Sequence, residues 1–79
     1  MEILNLSEII KSKRESQGLT LMDVSLDAEL SMAYISDIEN GNKRPLKRGT
    51  LEKLGDALDI PYKNMVEAVI ESVREDLGE

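Results

Sequence analysis

Apolar residues recur at helical spacing along nearly the whole of this 79-residue chain, and no stretch alternates apolar and polar residues as a half-buried strand does. Phe and Trp are absent, and only two prolines, Pro45 and Pro61, interrupt the pattern. The sequence therefore predicts an all-α fold. A chain of this length has room for a single core, and without cysteine it has no disulfides to support one.

Capping residues and glycines divide the apolar pattern into five helices. Asn5 and Glu8 have the spacing of a capping box for the first helix, and Gly18 ends that helix in a left-handed conformation. Thr20 and Ser31 can cap the second and third helices. The predicted helices cover about residues 6–17, 21–28, 32–40, 50–58 and 61 onward, and residues 42–49 are predicted as a loop.

The fifth helix opens at Pro61, since proline is tolerated in a first turn. It carries one continuous apolar stripe, made of Val66, Val69, Ile70, Val73 and Leu77. We expect the first half of the stripe to pack on the core. The far end, Val73 and Leu77, is either a surface for self-association or the stub of a longer parent chain. The core then covers about residues 6–70, and residues 71–79 form a helical tail available for dimerisation.

Charge is unevenly distributed along the sequence. The formal net charge of −6, taken alone, argues against a nucleic-acid partner, whose phosphates require Lys and Arg. However, residues 61–79 carry −3, whereas the predicted loop, residues 42–49, carries +4 without an acid. The protein is therefore polarised rather than uniformly acidic.

The residues that usually carry catalysis are scarce. The chain has no His, no Cys and no Gly-rich phosphate loop, and Asp37 and Glu39, two apart on a helix, point in different directions. We expect no enzymatic activity, no cofactor and no metal. No apolar run approaches a membrane span and no signal segment begins the chain, so a cytoplasmic protein is expected.

Residues 21–40 meet the steric requirements of two short helices that cross steeply. Ser25 supplies a small side chain at the closest crossing, and residues 29–31 supply a tight turn. The apolar contacts between the helices come from Val24, Ala28, Leu30, Ile35 and Ile38. With Ser31 as cap, the outward face of the third helix carries Met32, Ala33, Ser36, Asp37 and Asn40. A helix presented in this way has the right shape for a major groove.

The stretch SKRESQGLTLMDVSLDAELSMAYISDIENGNKRP, residues 12–45, resembles the Cro/cI-type helix-turn-helix family (XRE, lambda-repressor-like) of bacterial and phage regulators. The resemblance extends from about Leu6 to Val69, and its most specific parts are residues 18–20, 34–41 and 51–61. It implies a compact five-helix bundle whose third helix reads operator DNA, and a transcriptional regulator, expected to be a repressor, that binds palindromic operators as a homodimer. It also implies a buried ion pair between Arg14 and Glu39.

The sequence departs from this family where DNA is usually contacted. Leu21 replaces the usual Gln after the Thr, and Glu29 replaces the usual turn glycine. Met32, Ala33 and Asp37 stand where many members have Arg, Gln or Lys. Apolar side chains can still contact thymine methyls, and a carboxylate can accept from cytosine N4.

The resulting site prediction has two groups. Bases are read by Met32, Ala33, Ser36, Asp37 and Asn40. Phosphates are contacted by Thr20, Ser31, Tyr34, Lys43, Arg44, Lys47, Arg48 and Lys11. The alternative is a protein-interaction module of the same fold, an anti-repressor or antitoxin-like subunit that uses an acidic third helix to bind a protein partner.

Overall fold

Five α-helices and no strand make up residues 4–78, which are the residues that the computed structural model describes. The helices are α1 (Leu6–Ser16), α2 (Leu21–Ala28), α3 (Met32–Glu39), α4 (Arg48–Leu58) and α5 (Tyr62–Asp76). The predicted all-α, five-helix fold is confirmed. None of these helices is long and apolar enough to cross a membrane.

Side-chain caps set the starts of the first three helices, as predicted. Asn5 Oδ1 accepts a hydrogen bond from the Glu8 backbone N–H (2.9 Å), and Glu8 Oε1 accepts one from the Asn5 N–H (3.1 Å). Thr20 and Asp23 form the same reciprocal pair before α2. Ser31 Oγ accepts from the backbone N–H of the third residue of α3 (3.1 Å). Each cap satisfies N–H groups that a helix cannot satisfy internally.

The core lies where all five helices meet. α2 packs on α3 and α4, and α1 packs on α3, α4 and α5. Every core side chain is at most 4% exposed: Leu6, Ile10, Val24, Ala28, Ile35, Ile38, Leu51, Leu54, Leu58, Ile60, Met65 and Ala68. One close approach fixes α4 against the following turn, because a Cβ on Gly55 would lie 2.7 Å from the Ile60 carbonyl oxygen.

The turn between α2 and α3 keeps its shape without the usual glycine. Glu29 adopts the left-handed conformation itself, with φ 57° and ψ 40°. The Leu30 N–H donates to the Ser25 carbonyl (3.2 Å), and the Ser25 hydroxyl donates to the Leu30 carbonyl. These two bonds hold a backbone conformation that is unfavourable for a residue with a Cβ.

Two helix starts differ from the prediction. α4 begins at Arg48 rather than at Thr50, so Arg48 belongs to a helix and not to the loop. An ion pair between Arg48 and Glu52, four residues on, supports this extra start. α5 begins at Tyr62, with Pro61 as its N-cap instead of its first residue.

The buried side of α5 also differs from the predicted stripe. Met65 and Ala68 are the residues that reach the core, with Val69 packed beside them. Ile70, expected in the packed first half of the stripe, is 54% exposed. The helix instead turns a flexible apolar side chain, Met65, and its smallest one, Ala68, toward α1 and α4.

Candidate nucleic-acid interface

The third helix is held on its apolar side and open on the other. Ile35 and Ile38 are fully buried in the core that α3 shares with α1 and α2. The predicted base-reading residues lie together on the opposite face: Met32, Ala33 and Asn40 are exposed, and Ser36 and Asp37 are half-buried. Asn40 Nδ2 lies 3.4 Å from Ser36 Oγ, so two polar groups of this face orient one another.

Two of the three hydroxyl groups predicted to contact phosphates, those of Thr20 and Ser31, already act as helix caps. Thr20 Oγ1 and Ser31 Oγ each accept a backbone N–H at the start of α2 and α3. A hydroxyl that accepts one bond still has a hydrogen to donate. Tyr34, in the first turn of α3, is half-buried and packs against the core. These three residues are therefore placed at the start of the helix-turn-helix elements.

The end of α3 is fastened to α1 by a two-bond ion pair. Arg14 Nε lies 2.7 Å from Glu39 Oε2, and a terminal nitrogen of Arg14 lies 3.0 Å from Glu39 Oε1. The other terminal nitrogen donates to the Leu19 carbonyl (2.9 Å). The side chains are 16% and 7% exposed, and the hydrogen bond to Glu39 raises the pKa of Arg14. The pair orients the helix and neutralises one of its two acids.

The basic loop follows α3 directly and is anchored on it. The Asp37 carbonyl accepts from the backbone N–H groups of Asn42 (2.8 Å) and Lys43 (3.2 Å). Pro45, in the middle of the loop, is buried. The loop is therefore held at the carboxyl end of the helix whose open face carries the predicted base-reading residues.

The four predicted phosphate-binding cations of this region fall into two classes. Arg44 forms an ion pair with Asp76 at the end of α5. Arg48 pairs with Glu52 (2.8 Å) and lies 5.1 Å from the ring centroid of Tyr62. Lys43 and Lys47 are exposed, and no ion pair among residues 4–78 engages them. The structure thus leaves the two lysines accessible and gives both arginines acidic partners.

Lys11 is exposed on α1, which packs on α3 but lies outside the helix-turn-helix. Lys13, two residues further along the same helix, is exposed as well. Both add positive charge to the helix that carries Arg14.

The sequence analysis did not predict the contacts that the end of α5 makes with the start of α1 and with the basic loop. Asn5 Nδ2 donates to Glu75 Oε1 (2.6 Å), and the Leu6 N–H donates to Ser72 Oγ (2.9 Å). With Arg44 and Asp76 these groups border a cavity of about 150 Å³. Nothing in the local sequence pairs residues about 30 to 70 positions apart; only the excess of acids in the tail was a signal. No cluster of three or more His, Cys, Asp or Glu within the described part of the chain could hold a metal ion.

Similarity to known proteins agrees with this geometry. A helix-turn-helix family model matches residues 10–63. The HTH-type transcriptional repressor RghR of Bacillus subtilis is 37% identical over 59 residues, covering 75% of this chain and 44% of its own length. The transcriptional regulator ClgR of Mycobacterium tuberculosis is 39% identical over 54 residues, covering 68% and 47%. The HTH-type transcriptional regulator DdrOP3 of Deinococcus deserti is 32% identical over 66 residues, covering 84% and 50%.

Among solved structures, a SinR protein/SinI protein complex has the same fold, with a TM-score of 0.69 at 24% identity, over 77% of this chain and 59% of that one. The chain spans about half the length of the curated relatives it matches. The predicted family is confirmed: the chain belongs to the helix-turn-helix family of the XRE, lambda-repressor-like type.

Proposed function

We propose that the protein is a sequence-specific DNA-binding transcriptional regulator, acting as a repressor in the cytoplasm. The observation that carries this proposal is the open face of α3 beside the basic loop, with the helix fixed by the Arg14–Glu39 pair. The relatives named as transcriptional repressor or regulator support it. In this proposal α3 enters the major groove.

Base contacts would come from the open face of α3. Met32 and Ala33 offer apolar surface to thymine methyls, and Asp37 offers an acceptor to cytosine N4. Ser36 and Asn40, which face one another, can donate and accept. This face lacks an arginine, so its sequence preference rests on shape and methyl contacts more than on guanine recognition.

Phosphate contacts would come mainly from Lys43 and Lys47. Both are exposed in the loop next to α3, and each contact releases counterions from the DNA. The hydroxyls of Thr20, Ser31 and Tyr34 and the charge of Lys11 add weaker contacts. Arg44 and Arg48 join only when DNA phosphates replace their present acidic partners.

The alternative, a protein-interaction module with an acidic third helix, is not favoured. One of the two acids of α3, Glu39, is already paired with Arg14. The relatives are named as regulators of transcription. Only Asp37 remains as an acidic group on the open face.

The test is binding to random duplex DNA over a salt series. We expect Lys43→Ala with Lys47→Ala to lower the slope of log affinity against log salt by about 2. The control is Lys53→Ala with Lys63→Ala, which removes the same charge from exposed positions on α4 and α5. Absence of binding by the native protein at low salt, or equal losses in both variants, contradicts the proposal.

We also propose a homodimer that binds a palindromic operator. The stripe residues of α5 support it, because Ile70 and Leu77 are 54% and 72% exposed and Val66 and Val73 are half-buried. Val69 packs against the core and is not part of this proposed contact.

A further inference from the structure

We propose that Met32, the first residue of α3, is a site of reversible oxidation at which a peroxide weakens DNA binding. The proposal rests on the proposed DNA-binding function and gives one side chain of the open face a second property. In the reaction, the thioether sulfur takes one oxygen atom from the peroxide, which gives methionine sulfoxide and water or an alcohol. The sulfur is oxidised by two electrons and the peroxide is reduced by two.

The sulfur chemistry of this chain is confined to methionine, because the sequence has no cysteine. The three methionines among residues 4–78 differ in exposure. Met65 is fully buried in the core, whereas Met32 is 42% exposed and Met22 is 57% exposed. A peroxide in solution therefore reaches the sulfurs of Met22 and Met32 in the folded chain and does not reach that of Met65.

The two exposed methionines lie on different helices. Met32 shares the open face of α3 with Ala33 and Ser36, and it belongs neither to the core nor to the side chains packed against it. Met22 lies on α2, the helix that contributes no residue to the predicted base-reading group. Oxidation of Met32 thus changes the proposed DNA contact without disturbing the core, and Met22 serves as a matched exposed position.

The sulfoxide differs chemically from the thioether that it replaces. A thioether is apolar and polarisable, and the proposed contact of Met32 is the methyl group of thymine. The sulfoxide oxygen is a hydrogen-bond acceptor with no hydrogen to donate, so placing it against a methyl group without a donor is unfavourable. The O4 atom beside that methyl group is itself an acceptor and cannot satisfy the sulfoxide. Oxidation should therefore weaken binding to sites that place a thymine against Met32.

The test uses the whole chain and a duplex that the untreated native protein has selected from a random pool. The native protein is treated with hydrogen peroxide, and mass spectrometry of its proteolytic peptides reports oxidation at each methionine. We expect oxidation of Met22 and Met32 with Met65 intact, and a loss of affinity of about tenfold, which is typical of one lost base contact. The two methionine sulfoxide reductases, one for each epimer, should restore the affinity.

Two variants assign the effect to one sulfur. Met22→Leu should respond to peroxide as the native chain does. Met32→Leu, which retains the other methionines, should bind with the same affinity before and after treatment. Each variant is compared with its own untreated sample, so a changed starting affinity does not enter the comparison. A loss in treated Met32→Leu as large as that in the native chain overturns the assignment.

Protection by DNA gives a readout that needs no variant. Saturating duplex should slow the oxidation of Met32 in the native protein and leave the rate at Met22 unchanged. Equal rates at Met32 with and without the duplex overturn the inference, because its sulfur then lies outside the contact.

The failure of this inference is distinguishable from that of the proposed function. If the untreated native protein binds no duplex, the proposed function fails. If it binds, and its affinity survives complete oxidation of Met32 or Met32 resists the peroxide, the DNA-binding function stands and the oxidation site is refuted.

Discussion

Arg44 of the basic loop is paired with Asp76, the last residue of α5. The two residues are 32 positions apart, and the pair brings the acidic end of the chain onto the surface that is proposed to face DNA. An arginine cannot bind a carboxylate and a phosphate with the same donors at full strength. The tail is therefore a competitor for one of the proposed phosphate contacts.

Releasing Arg44 should strengthen DNA binding. We expect Asp76→Asn to raise affinity for duplex DNA about two- to fivefold at low salt, since an exposed ion pair contributes only about 0.2–1 kcal/mol. Fluorescence anisotropy with a labelled duplex measures the effect. Asp56→Asn removes the same charge from an exposed position of α4 and serves as the control. An equal gain in the control would assign the effect to net charge alone.

Breaking the Arg14–Glu39 pair should destabilise the fold strongly. Glu39→Ala leaves the largely buried Arg14 guanidinium with a single backbone acceptor, Leu19, and we expect a loss of about 3 kcal/mol in the free energy of unfolding. Urea denaturation measures it. Glu52→Ala breaks the exposed pair with Arg48 and should cost less than about 1 kcal/mol. Similar costs for the two variants would show that burial of the Arg14 pair has little effect.

Two glycines of α4 should respond in opposite ways to alanine. Gly55→Ala places a Cβ 2.7 Å from the Ile60 carbonyl oxygen, and we expect a loss of about 1–3 kcal/mol. Gly49 has no atom within 4 Å of such a Cβ, so Gly49→Ala should stabilise the helix by up to about 1 kcal/mol. Thermal unfolding of both variants compares them. A neutral Gly55→Ala would mean that the turn after α4 relaxes without cost.

Asp23 should contribute to the pH dependence of stability. The backbone N–H of Thr20 lowers the pKa of the Asp23 carboxyl. A carboxyl with a lower pKa in the folded chain stabilises the fold above its unfolded pKa, and this contribution is lost as the pH falls through the folded pKa. Asp23→Asn should therefore show a shallower loss of stability than the native chain between about pH 5 and pH 2.

Denaturation at a series of pH values tests this, with Asp27→Asn on the same helix as the control. An equal flattening in the Asp27 variant would assign the effect to the loss of an acid from α2 rather than to the cap. If the free energy of unfolding depends on pH in the same way for the native chain and for Asp23→Asn, the Asp23 cap does not contribute to acid sensitivity.

The fold was predictable because its signals are local. Asn5, Thr20 and Ser31 cap helices through bonds to residues three positions away, and Gly18 adopts the left-handed conformation expected of it. Such short-range preferences are readable in a sequence. The family resemblance then supplied the arrangement of the helices.

The partners of the basic side chains and the buried face of α5 were less predictable because they depend on tertiary contacts. The sequence showed four cations in a row of eight residues, but not that Arg44 meets Asp76 or that Arg48 lies over Tyr62. On α5, Met65 and Ala68 lie beside the predicted apolar stripe, and only packing against α1 and α4 selects them as the buried residues. An ion pair between residues that are far apart in the chain produces no periodic pattern from which it could be predicted.

The aromatic content of this small chain is limited to Tyr34 and Tyr62. One lies in the first turn of α3, and the other lies beneath the Arg48 guanidinium at the start of α5. The intrinsic ultraviolet emission of the protein therefore has two sources, one on the proposed DNA-reading helix and one beside the basic loop. Replacing either tyrosine with phenylalanine separates the two signals, so the native chain can report optically on each surface without an attached dye.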